Sequence, residues 1–217
     1  MVEVLFVTAL GFKPKTPSSV VRYSIQLSYA AIPSFRLDGK NRDLFYSSQL
    51  FVHFCQTKYL MKIHFWTIGK HHEAYVKPGV DMFTKRISNY YPVEWTVIPS
   101  PKNSAVLSEP DLKKKEGETI LNFLQKDDYL VVLDERGKQL TSEGVASFIQ
   151  LRANESLKNI VFLIGGAYGV SEEVFKRANY KWSLSLLVFP HQLVRMILAE
   201  QIYRACSIIR NEKYHHQ

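Results

Sequence analysis

Three short runs carry the residues whose types and spacing could do chemistry: "VVLDERGK" (131–138), "FLIGGAYG" (162–169) and "SLSLLVFPHQLVR" (183–195). The second is an apolar stretch that stops at Gly165-Gly166, with Gly169 three residues later. Glycines at a strand end let a ligand or another backbone come very close. A phosphate loop would close in Gly-Lys-Ser/Thr, but Gly169 is followed by Val170 and Ser171. A dinucleotide fingerprint needs a second glycine where Ala167 stands, and an acidic residue near 182–185, which reads Trp-Ser-Leu-Ser. Nucleotide phosphates are therefore excluded, and two readings stay open: another ligand, or a tight turn with none. Asp134 and Glu135 are candidates for acid–base chemistry or for an ordinary turn after a strand. His191 is either a capping histidine or a substrate contact, and Arg195 either meets a phosphate or snorkels at the core edge.

The elements that must position these runs follow from hydrophobic period. Strands are expected at 62–69, at 93–98 before Pro99, from 129 to a break at Asp134, at 159–166 and at 182–189. Helices are expected over 73–90, 111–126, 141–153 (capped by Thr141 or Ser142), 171–178 (capped by Ser171) and from His191 to about Arg210. Strands alternating with helices, several of them apolar throughout, predict an α/β fold with a parallel sheet covered on both faces. The three chemical runs then share the carboxyl ends of strands, where open α/β sheets bind ligands. The last helix is apolar nearly all round, which predicts burial by its own sheet and by a partner subunit.

Composition narrows the class. The chain has 217 residues, 46% of them hydrophobic, enough for one domain with a proper core. Its net charge of +8 divides into +4 for residues 1–60 and +4 for 61–217, so the main part is only mildly basic. That permits a nucleic-acid partner without requiring one. Two distant cysteines fit a reducing compartment. No metal is expected, because the seven histidines lack ligand spacing, and no membrane span, because no apolar run is long enough. Residues 1–60 are Ser- and Pro-containing and poor in acids. They are expected to be an N-terminal extension outside the functional domain, with Met61 as its start.

Taken in order, "KEGE" (115–118), "LDERGK", "IGGAYG", "SLS" with "FPHQLVR", "EQIYRA" (200–205) and the terminal "YHH" (214–216) resemble the SPOUT methyltransferases. Within them, residues 61–217 are similar to the RlmH family over its whole length. The resemblance implies a SPOUT-type parallel-sheet domain with a C-terminal deep trefoil knot, acting as a homodimer in the cytoplasm. It implies an S-adenosylmethionine-dependent enzyme that methylates N3 of a pseudouridine in 23S rRNA within the ribosome. That cofactor carries a sulfonium and an adenosine in place of a diphosphate, which suits glycines without an anion cradle.

Residue by residue, the resemblance gives cofactor-binding roles to Leu133, Gly166, Leu184, Ser185, Leu186, Leu187, Val188 and Phe189. Val188 stands where the family often has threonine. It makes His191, Tyr214 and His215 the catalytic candidates, and Arg195, Tyr203 and His216 the RNA-binding ones; position 216 is often arginine in the family. Helix packing is the other role open to Tyr203. Another SPOUT enzyme with a different RNA target, or a catalytically silent dimer that binds RNA or the ribosome, remains as an alternative.

Overall fold

The structure is a computed structural model that describes residues 61–214. Five strands, β1 (Lys62–Ile68), β2 (Val93–Ile98), β3 (Tyr129–Gln139), β4 (Asn159–Ile164) and β5 (Tyr180–Ser183), form one sheet in the order β2-β1-β4-β3-β5. Every pairing is parallel. The helices are α1 (Lys77–Ile87), α2 (Glu109–Phe123), α3 (Ser142–Asn154), α4 (Glu172–Arg177) and α5 (His191–Ile209). Three start on hydroxyl caps: Ser108, Thr141 and Ser171 accept from the backbone N–H three residues on. No described helix is long and apolar enough to cross a membrane.

The strand period of two divides the core into two layers. Ile63, Phe65, Val131, Ile160, Phe162 and Ile164 face α1, α3 and α5. Trp66, Ile68, Leu130, Val132, Val161 and Leu163 face α2 and α4. β4 is central and almost wholly buried, which is why it reads as an unbroken apolar run. Because α3 leaves β3 toward one face and α4 leaves β4 toward the other, a crevice opens between their carboxyl ends.

Two expectations need correction. The strand expected at 182–189 is β5, and it ends at Ser183. Its partner β3 pairs no further than Gln139 opposite Ser183, and serine hydroxyls then turn the chain. Ser183 Oγ donates to the Ser185 carbonyl (2.9 Å), and Ser185 Oγ accepts from Leu187 N–H (2.9 Å). The strand expected to break at Asp134 does so only locally: Leu133 and Lys138 both lie opposite Trp182, and residues 134–137 bulge between them. α5 is covered by its own chain in part, and Met196, Ile197, Tyr203, Ile208 and Ile209 stay half-buried. Leu198, Ala199, Ile202, Ala205 and Cys206 face the sheet, α1 and α3 pack against its flanks, and within α5 only His191 is exposed.

The bulge depends on Gly137. A Cβ there would lie 2.6 Å from the Trp182 backbone N and C, which cannot swing aside. Gly169 is glycine for a different reason: its φ is +82° and open space surrounds its Cβ direction. Gly137→Ala should therefore cost roughly 3 kcal/mol or more by overpacking, and Gly169→Ala only about 1 kcal/mol of backbone strain. Urea unfolding of both variants checks this; equal losses would contradict the bulge.

Candidate functional site

The crevice holds a cavity of about 600 Å³ at the carboxyl ends of β3, β4 and β5, within the range of small-molecule sites. Its walls come from the three runs that sequence singled out. All eight residues expected to touch a cofactor line it: Leu133, Gly166, Leu184, Ser185, Leu186, Leu187, Val188 and Phe189. His191 and Val194 close it from α5. Leu186, Leu187 and Val188 stand at 89%, 71% and 86% exposure, so their side chains are not core. An apolar run left this exposed is suited to clasping an apolar ligand face.

Only part of the rim was foreseen, in Asp134 and Glu135. Lys113 and Tyr168 reach it, and so do Asp134, Glu135, Arg136 and Glu172. Asp134 holds the β3 bulge: its carboxylate accepts from the Arg136 backbone N–H (3.0 Å), from Nε (2.8 Å) and from Nη2 (3.1 Å). Those bonds pull the Asp134 carboxyl below its usual range, so it stays ionised and serves the turn. Arg136 also lies over the Phe175 ring (4.2 Å) and beside Glu172 (3.6 Å). The rim thus sets three carboxylates against two cations, one of them already committed. Such a rim suits a neutral or cationic ligand and opposes a polyphosphate.

The glycines at the β4 end are required by the protein itself. A Cβ on Gly165 would meet the Gly169 backbone and Val170 at 3.0 Å, and one on Gly166 would sit 2.5 Å from Glu116 Oε2. The turn beyond is closed by Gly169 N–H donating to the Gly166 carbonyl (2.9 Å). Glu116 is only 7% exposed, and burial alone lifts its carboxyl above the ordinary value, with no offsetting partner among the described residues. Sequence could have signalled it. Gly117 interrupts a helix, where glycine costs stability, and it does so because a Cβ would overlap the Ser171 side chain.

The candidates for chemistry do not all meet. His191 has its pKa lowered by desolvation and then by the Arg195 charge, against a hydrogen bond to the Gly165 backbone, so its imidazole is neutral at neutral pH. Arg195 is 2% exposed and donates from Nη1 to the Lys70 carbonyl (3.0 Å), with the same atom 3.3 Å from His72 Nδ1. It ties the β1–α1 loop to α5 and is turned away from any phosphate at the surface. Tyr203 stacks between Phe83 and Tyr214 (ring centroids 6.0 and 4.6 Å) under the Arg86 guanidinium. Tyr214 donates to Glu200 Oε1 (3.3 Å), and burial followed by the Glu200 charge raises its pKa, so the phenol keeps its proton. Glu200 and Tyr203 lie about 14 and 18 Å along α5 from His191 at the helical rise. Within one chain, Tyr214 and His191 are therefore apart. His215 and His216 lie outside the described residues. No group of three His, Cys, Asp or Glu among the described residues could hold a metal.

Residues 61–215 match the family described as a predicted SPOUT methyltransferase. The chain is similar to the ribosomal RNA large subunit methyltransferase H of Cytophaga hutchinsonii, at 49% identity over 156 residues. It is also similar to the proteins of that name from Parabacteroides distasonis (46% over 157 residues) and Alkaliphilus oremlandii (42% over 158 residues). These matches take in 72%, 72% and 71% of this chain and 100%, 100% and 99% of the relatives.

Glu116 also generates a stability prediction. A carboxyl whose folded pKa is raised contributes stability that is complete below its ordinary value of 4.5 and is lost as pH rises through the folded pKa. Glu116→Gln removes that loss. The variant should melt higher than the native protein near neutral pH, and the gap should close at about pH 4. Thermal unfolding across that range checks it; a lower melting temperature at neutral pH would contradict the unpaired placement.

Proposed function

Because the chain belongs to the SPOUT methyltransferase family, we propose that it transfers a methyl group from S-adenosylmethionine to N3 of a pseudouridine in large-subunit ribosomal RNA. The pocket is the observation that carries this reading. It offers backbone edges and apolar side chains without an anion cradle, and its rim carries more negative than positive groups. Those features fit a ligand made of a flat heterocycle and a cation. The cofactor, when bound, supplies an electrophilic methyl on a sulfonium sulfur. Leu133 and the 184–189 segment would flank its adenine, and the backbone there would read the ring edge.

The protein's remaining task is to place the nucleophile and remove its proton. N3 of pseudouridine carries a proton that must leave before or during transfer. A neutral His191 at the pocket wall is suited to take it. Tyr214, which keeps its proton and donates it to Glu200, is not the base; its oxygen is left to accept a hydrogen bond from the substrate. With His215 and His216 it would form an RNA-contacting tail, and Tyr203 would support that tail by packing. Arg195, buried, supports the loop instead of meeting RNA.

The separation of Tyr214 from His191 favours a composite site. We read the protein as a homodimer in which the tail of one copy meets the pocket of the other, and Leu186 to Val188 are partly covered there. The trefoil knot and a cytoplasmic location belong to the same reading, with residues 61–217 as the working domain and 1–60 dispensable.

Transfer of a labelled methyl group to ribosomes lacking this modification, followed by mass mapping of the nucleotide, tests the activity. Label at another nucleotide would transfer the assignment to a different RNA target, and no label would leave a silent binding protein. His191→Ala should lower turnover by roughly tenfold to a hundredfold, and Tyr214→Phe by less, with cofactor binding kept. Deleting 214–217 should cost more than either. Mixing His191→Ala chains with tail-deleted chains should restore activity, because one site per mixed dimer is then complete; no restoration would place tail and pocket in one chain.

A further inference from the structure

Every rim carboxylate of the cavity is solvated or committed: Glu135 is exposed, Asp134 is bound by Arg136, and Glu172 is exposed beside the same arginine. Glu116 is different. It is more than nine-tenths buried, with no hydrogen bond or ion pair to any described residue. Its position is built by two glycines. Gly117 lets α2 approach until a Cβ would overlap the Ser171 side chain, and Gly166 leaves the carboxylate the space a side chain would fill, 2.5 Å from Oε2 to that Cβ position. Gly166 is itself part of the cavity wall. Gly166 therefore borders both the unpaired carboxyl and the cavity.

We infer that Glu116 is a positioning residue that makes the pocket favour a cationic sulfonium donor over its neutral thioether product, an inference that rests on the methyl-donor reading above. As a mere wedge the site would take glutamine or methionine, and burying a carboxyl there is costly unless something returns the cost. A positive ligand charge held in the adjoining cavity would do so through a medium of low dielectric. Transfer of the methyl group leaves the C–S electron pair on sulfur, the ligand charge falls from +1 to zero, and the attraction ends. The carboxylate thus holds the donor and releases the product without touching the reacting atoms.

The test is calorimetry on the full chain, titrating S-adenosylmethionine and S-adenosylhomocysteine into native protein, Glu116→Gln and Glu116→Ala. The inference expects both variants to fold, to bind the methionine form about tenfold more weakly, and to bind the homocysteine form with unchanged affinity. If the native protein binds neither ligand, the methyl-donor reading fails and this inference with it. If the native protein binds and the variants keep its ratio of affinities, or lose both ligands equally, Glu116 is a structural wedge and the inference alone is overturned. Melting curves without ligand confirm folding, and agreement between the two variants guards against a defect peculiar to one.

Discussion

The site depends on how closely α2 approaches the end of β4. That approach is set by Gly117 against Ser171 and by Gly166 against Glu116, where a single added carbon would collide on either side. It fixes the turn from Gly166 to Gly169, and the turn forms one wall of the cavity. Opposite, the bulge at 134–137 exists because Gly137 lets β3 press on the backbone of β5. Both walls are thus made of backbone held by close packing. A pocket of that kind is shaped before any ligand arrives, and pre-organisation lowers the cost of binding.

The charges around the cavity follow from the same packing. Asp134 secures the bulge and is ionised for that reason. Arg136 answers it, stacks on Phe175, and is left with little capacity for an incoming phosphate. On the α5 side, Arg195 is drawn inward to the Lys70 carbonyl and helps keep His191 neutral. A family of methyl donors that carry positive charge fits this field, and a nucleotide triphosphate does not.

Much of the fold was legible because buried parallel strands and capped helices leave strong periods: β1, β2 and β4 fall where expected, and Ser171 and Thr141 cap as expected. The failures share a cause. Apolarity says that a residue leaves water and is silent about what covers it. Leu186, Leu187 and Val188 read as strand, yet they are exposed at a cavity. The pocket-lining residues were found through motifs, whereas Glu116 was missed because burial of an acid is a tertiary fact; only the mid-helix Gly117 hinted at it. Arg195 could not be placed either, since its partner is a backbone carbonyl 125 residues away.

The central claim is that this pocket is built for a sulfonium-bearing adenosine and against phosphates. Titration of the native chain with S-adenosylmethionine and, separately, with ATP under identical conditions tests it most directly. The account predicts saturable binding of S-adenosylmethionine and no measurable heat with ATP. Tighter binding of ATP, or saturable binding of ATP alone, would contradict it.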